Sequence, residues 1–190
     1  MTNLNWGEVK MNNLQLKVRD IENRETEIHQ IVCDATDLSL EVEDVNFIHP
    51  ISGVVKLFKQ NNQVYVTAQL STEIEIECGR CLEIVETTLN PTFEVQYRQT
   101  SDSEKDGWFD EDLGIRYYAG EYINIAEDIY QAVMVEMPLW PICSEACQGL
   151  CQQCGHNLNL GNCHCQKTKQ VSPQFAVLEE LLSRTKQAAG

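Results

Sequence analysis

Basic side chains are scarce in this sequence: 14 Lys and Arg stand against 29 Asp and Glu, a formal net charge of −15. Phosphate binding rests on clustered cations that displace condensed counterions. A protein that coats nucleic acid over its whole surface is therefore excluded. Long apolar runs are missing as well. No stretch approaches the roughly 20 apolar residues that span a bilayer, and the opening MTNLNWGEVK contains no apolar signal segment. A soluble, cytoplasmic protein with no membrane partner is expected. Histidine is sparse, four in 190 residues, and internal repeats and low-complexity tracts are absent. Apolar residues still make up 43% of the chain, enough to bury a core and to exclude wholesale disorder.

The charge is uneven. Residues 1–142 carry 10 basic and 26 acidic side chains, whereas residues 143–190 carry four basic (Lys167, Lys169, Arg184, Lys186) and three acidic ones (Glu145, Glu179, Glu180). Any direct approach to RNA belongs to the C-terminal quarter; the rest would be repelled.

Cysteine, by contrast, is abundant. Cys33 stands alone, and the other eight form four close pairs: Cys78/Cys81, Cys143/Cys147, Cys151/Cys154 and Cys163/Cys165. An odd count without a secretory segment disfavours a disulfide framework, since cytosolic thiols are kept reduced. Closely spaced thiol pairs suit tetrahedral zinc, which takes four soft ligands at about 2.3 Å. Two four-cysteine sites use all eight with none left over. Four pairs combine in three ways. In the local solution Cys151, Cys154, Cys163 and Cys165 close a compact knuckle around the turn-forming GHNLNLGN, leaving Cys78 and Cys81 to meet Cys143 and Cys147. A rival joins Cys78/Cys81 to Cys151/Cys154 in the manner of a zinc ribbon. The local solution closes the shorter loop and is preferred. His156 and His164 lie beside the thiols and read as exposed knuckle residues; Cys33 reads as a small buried apolar side chain.

Such sites leave no room for catalysis. A closed shell of four thiolates has no open position for water or substrate, so the metals are expected to be structural. A redox Cys-x-x-Cys normally opens a helix after a strand, whereas Cys81 leads into the strand-like LEIVETTL.

An α+β fold is expected, with an antiparallel sheet or open barrel, a packed helix, a small C-terminal zinc knuckle and a terminal helix. Val64–Glu77 alternates apolar and polar residues with a period of two. Val54–Lys59 reads as its hairpin partner across Gln60–Gln63. Leu82–Leu89 and Thr92–Arg98 continue the sheet, and Leu14–Val18 and Leu38–Val42 supply two short alternating stretches. Ser101–Gly120 reads as an acidic linker anchored by Trp108 and Phe109. A helix at about 124–137 presents Ile125, Ile129, Ala132, Val133, Glu136 and Met137 on one face, with Asn124 and Glu127 spaced as a capping box. Residues 1–142 thus form the β-rich body, 143–168 the cysteine-rich segment and 169–190 an amphipathic helix entered at Ser172-Pro173.

In combination, Cys78-Gly-Arg-Cys81-Leu82, the helix ending in MPLWPIC, the string CQGLCQQCGHNLNLGNCHC and the closing SPQFAVLEELL resemble the YceD-like family, described as large ribosomal RNA subunit accumulation proteins. The resemblance spans roughly residues 10–185. Relatives without the knuckle often keep the Cys-x-Arg-Cys corner, which favours the local partition. Ser172-Pro173-Gln174 stands where many relatives have Asp-Pro-Arg. The resemblance implies a role in synthesis, processing or accumulation of large-subunit ribosomal RNA, with a large-subunit precursor (ribosomal protein, rRNA or both) as partner. It implies no catalytic activity. The expectation is therefore a non-enzymatic zinc-binding factor in ribosome biogenesis, with no catalytic residue and no small-molecule substrate. The alternative is a thiol redox protein or an RNA-processing enzyme that uses the Cys-x-x-Cys pairs. A nuclease would need a carboxylate-bound cation or a histidine base. The carboxylates lack metal-loop spacing, and His29 and His49 are isolated.

Overall fold

The computed structural model describes residues 14–19 and 21–165. Ten strands and one α-helix lie among them: β1 (Gln15–Lys17), β2 (Thr26–Cys33), β3 (Val45–Phe47), β4 (Ile51–Gln60), β5 (Gln63–Glu77), β6 (Ile84–Leu89), β7 (Thr92–Gln99), β8 (Phe109–Asp110), β9 (Ile115–Tyr118), β10 (Tyr122–Asn124) and α1 (Ala126–Glu136). The chain divides into two compact units, Met1–Cys147 and Gln148–Gly190; Cys143 and Cys147 belong to the first. The helix expected from Ser172 onward lies outside the described residues.

The first unit is mostly sheet with one helix, and the sheet does not close into a barrel. Its spine is β5, whose fifteen residues alternate so that Val64, Val66, Ala68, Leu70, Ile74 and Ile76 are buried. The first half of β5 pairs with β4 and β7, the second half with β3 and β6, all antiparallel. The flanking strands are interrupted at Pro50 and Pro91, where a residue without an N–H cannot extend the ladder; β5 runs on unbroken. At this level the buried Thr72 hydroxyl donates to His49 O at 2.7 Å, and Leu70 N donates to Pro91 O at 2.9 Å. The β4–β5 hairpin turns at Asn61-Asn62, with Asn61 left-handed at φ 56°, a conformation asparagine tolerates. Gly53 of β4 faces Leu70, and a Cβ there would lie 2.1 Å from Gln69 O, so only glycine permits this approach of the two backbones.

Three expectations require correction. The sheet is not wholly antiparallel, because β9 pairs with β7 in parallel, Gln96 opposite Ile115 through Gln99 opposite Tyr118. The acidic stretch 101–120 is therefore more than a linker: it crosses over, forms β8 and returns as β9, burying Ile115, Arg116 and Tyr118. Residues 38–42 form no strand. Leu38 ends a 3-10 turn, Ser39 is left-handed at φ 54°, and Leu38 and Leu40 both reach the core without an extended backbone.

Helix α1 starts at Ala126 behind Ile125, whose side chain caps nothing; Ala126 N instead donates to Asn124 Oδ1 at 3.0 Å. The capping box anticipated with Glu127 does not form, since Glu127 accepts from Gln131 one turn on. Ile125, Ile129 and Val133 are fully buried, Ala132 nearly so and Met137 packs on the core, while Glu136 at the end of the stripe is exposed. β1 pairs with β10 in a separate two-stranded sheet and adds Leu14, Leu16 and Val18 to the same core.

Candidate metal centres

β6 and β7 together retrace β5, so Cys78–Cys81 occupies the tip of a long hairpin. Cys78 N donates to Glu83 O and Leu82 N to Cys78 O, both at 2.9 Å, which closes the tip. Met137 leaves α1 with an extended backbone, and Pro138 cannot continue the helix. The chain then runs back to the tip, where Gly79 N donates to Pro141 O at 2.8 Å and Cys143 N to Cys78 Sγ at 3.3 Å. Arg80 reaches over the returning segment and donates to Cys147 O at 3.2 Å and Glu145 O at 3.4 Å.

These contacts gather the sulfurs of Cys78, Cys81, Cys143 and Cys147 within 4.8 Å of one another. Cys78 Sγ lies 3.9 Å from Cys147 Sγ, and Cys81 Sγ 3.7 Å from Cys143 Sγ. Four sulfurs at about 2.3 Å from a central zinc stand about 3.8 Å apart along each tetrahedral edge. The spacing fits that shell. Burial alone would raise the Cys78 thiol, but the amides of Arg80, Cys81 and Cys143 and the Cys81 thiol bring it down to about 6. The Glu83 amide favours the Cys81 thiolate, but burial and the neighbouring thiols outweigh it and push that group up to about 12. Backbone amides thus favour the Cys78 thiolate, while the neighbouring thiols and burial raise Cys81 and Cys143.

The second unit repeats this chemistry over a short span. Cys151 N donates to His156 O at 2.8 Å and Gly155 N to Cys151 O at 2.9 Å, while Leu150 bridges Asn157. Gly155 is left-handed at φ 72°, which lets the chain reverse directly after Cys154. A 3-10 turn, Leu158–Leu160, is capped by the Asn157 side chain and leads to the last pair. Cys151, Cys154, Cys163 and Cys165 again place their sulfurs within 4.8 Å of one another. The amides of Gln153 and Cys154, with the Cys163 thiol, lower Cys151 to about 6; the Cys154 thiol and burial push Cys165 up to about 12.

All eight paired cysteines are accordingly brought together in the local combination, and the ribbon-like alternative is not formed. His156 and His164 are exposed, and neither belongs to the clusters. Cys33 is buried in the sheet core. His29 lies 3.1 Å from Glu27 and His49 3.5 Å from Glu73, away from the sulfurs.

The sequence is matched over residues 66–182 by the profile of a family described as "Large ribosomal RNA subunit accumulation protein YceD". The chain belongs to the YceD family. The matched region contains every paired cysteine. Among its relatives, an uncharacterised protein of Mycobacterium leprae is 26% identical over 77% of this chain and 65% of its own length. One from Mycobacterium bovis is 28% identical over 82% of this chain and 73% of its own. The chloroplastic "Large ribosomal RNA subunit accumulation protein YCED homolog 1" of Arabidopsis thaliana is 23% identical over 74% of this chain and 52% of its own length. The chain thus spans less than two thirds of the first and about half of the last. No solved structure matches it.

One buried polar cluster escaped the sequence reading. Arg116 Nε and Nη2 donate to Asp128 Oδ1 at 3.1 and 3.0 Å, Arg116 Nη1 donates to Gly107 O at 3.1 Å, and the Tyr97 hydroxyl donates to Asp128 Oδ2. Burial raises the Asp128 carboxyl above its ordinary value, against the opposing pull of Tyr97 and Arg116. The cluster ties α1 to β7 and β9. Its one visible signal is an Asp three residues after Ile125, at the edge of the apolar helix face.

Proposed function

We propose that this protein is a non-enzymatic, zinc-stapled factor acting in the cytoplasm in the accumulation of large-subunit ribosomal RNA, with a large-subunit precursor as partner. The sulfur spacing in the two four-cysteine clusters carries this reading. Edges of 3.7 and 3.9 Å in the first cluster suit a filled thiolate tetrahedron, which serves as a staple and offers no position for substrate. Zinc at each site would contribute structural stability, and the ligands would be Cys78, Cys81, Cys143 and Cys147 at one site and Cys151, Cys154, Cys163 and Cys165 at the other. Membership of a family described by rRNA accumulation supports the biological setting. The net charge of −15 favours contact through the precursor's basic proteins over contact with bare RNA.

Metal analysis of the purified reduced protein, with thiol counting before and after metal removal, tests the chemistry. About two zinc ions per chain are expected, with the eight paired thiols becoming reactive only after removal. Eight freely reactive thiols and no metal would return the thiol redox reading. Co-sedimentation with large-subunit precursors in salt-stepped gradients tests the setting; a chain that stays at the top of the gradient at every salt would overturn it.

A further inference from the structure

The hairpin tip that carries the first thiol cluster is also a surface. Leu82 and Ile84 are 58% and 60% exposed, Trp140 is 70% exposed, and Leu139 is completely so. Trp140 lies over the tip, where a Cβ on Gly79 would stand 3.4 Å from its ring. Isolated apolar side chains on a surface need no explanation, but several large ones grouped at one corner mark an interaction site. Ile84 sits directly opposite Glu77 on the outer face of β5–β6, and the next outward pair is Glu75 opposite Glu86. Like charges opposed across a sheet destabilise it. Glu75 accepts from Asn46 Nδ2 at 2.9 Å, but none of Glu75, Glu77 and Glu86 meets a cationic side chain among the described residues.

We propose that this corner, with Leu139, Trp140 and Ile84 as anchors and Glu75, Glu77 and Glu86 beside them, docks a Lys/Arg-rich polypeptide segment carrying an apolar anchor. The charge selects this occupant. RNA and anionic membranes would be repelled by the carboxylates, and a second copy of a chain at −15 would bring the same sign. A cationic segment relieves the Glu75–Glu86 repulsion while its apolar residues cover the indole, a division of roles usual at interfaces with an aromatic anchor. The inference deepens the proposed function by giving its partner's chemistry.

The test places a photo-reactive side chain at Leu139 of the full zinc-loaded chain. The chain is offered either the protein fraction of large ribosomal subunits or their deproteinised RNA. Adducts with Lys/Arg-rich proteins are expected. Their yield should fall about tenfold or more with Trp140→Ser plus Ile84→Ser. It should fall severalfold with Glu75→Gln plus Glu86→Gln, which removes the like-charge pair and therefore raises sheet stability. Adducts mainly with RNA or with a second copy, unchanged yields in both variants, or no adducts would overturn the proposal. Co-sedimentation separates the two readings. If parent and variants co-sediment equally with precursors, the surface fails and the proposed function stands. If basic proteins are captured but the parent never co-sediments, the reverse holds.

Discussion

Leu82 holds a left-handed backbone at φ 59° immediately after Cys81, and its amide closes the hairpin tip on Cys78 O. A branched side chain pays about 1–2 kcal/mol for this conformation, whereas glycine adopts it freely at an entropic cost of about 0.5–1 kcal/mol. Leu82→Gly should therefore stabilise the first unit slightly, by about 0.5–1 kcal/mol in urea unfolding, while lowering capture of a basic partner. A loss of stability would show that the Leu82 side chain packs where it is seen to be exposed. Cys33 makes a different residue-level claim. Burial, with Asp37 and Asp34 nearby, pushes its thiol from the ordinary 9.0 up to about 11. Between those values the folded chain keeps a proton that the unfolded chain loses, so the unfolded state is favoured increasingly as pH rises. In Cys33→Ala that contribution is gone, and the stability gap between parent and variant should narrow from pH 9 to pH 11. Denaturant titrations at both ends of the window measure it, and a gap that stays constant would place Cys33 in contact with solvent.

Among the elements, α1 is held by more than its apolar stripe. Arg116 and Asp128 are nearly completely buried and joined by two hydrogen bonds. Breaking a buried ion pair from one side typically costs about 3–5 kcal/mol, because the remaining charge is stranded, whereas replacing both partners by apolar groups is often neutral. Arg116→Met should therefore unfold α1 and β9 at markedly lower denaturant, and Arg116→Met with Asp128→Leu should recover most of the loss. Equal losses in the single and double variants would mean that shape, not charge, matters at this site. The same elements show how far sequence reaches. The period-two alternation of Val64–Glu77 and the Gln60–Gln63 turn are local properties, and β4 and β5 appear where they indicate. The four cysteine pairs were equally legible, since close thiol spacing is a local property, and the structure gathers them into two clusters of four. The β7–β9 pairing was not, because it is made between distant segments and β9 lacks alternation: Ile115, Arg116 and Tyr118 are all buried. β2 was hidden for a related reason, as Ile28 and Val32 point outward from it and blur its two faces.

At the scale of the molecule, the two clusters close loops of very different length. Cys78 and Cys147 are 69 residues apart, so the first cluster joins the tip of the main hairpin to the chain emerging from α1. The second cluster lies wholly within Cys151–Cys165. Structural zinc supplies about 10–16 kcal/mol of binding free energy in small peptides, comparable to the whole stability of a domain. With zinc at the proposed sites, a serine at any of the eight positions would leave three thiolates and forfeit much of that binding. Cys78→Ser should consequently lower the melting temperature of the first unit by roughly 10 °C or more, and amide exchange should accelerate along β5 as well as at the tip. Cys151→Ser should leave β4 and β5 protected while the amides of Cys151 and Gly155, which now donate to His156 O and Cys151 O, lose protection. Zinc content should drop by about one ion in each variant. Chelation of the parent should reproduce both patterns together, with the second unit releasing its ion first because its sulfurs are less buried. Were the two substitutions to slow or speed exchange in the same residues, the clusters would be acting as one site, and the division into a stapled body and a separate knuckle would be wrong.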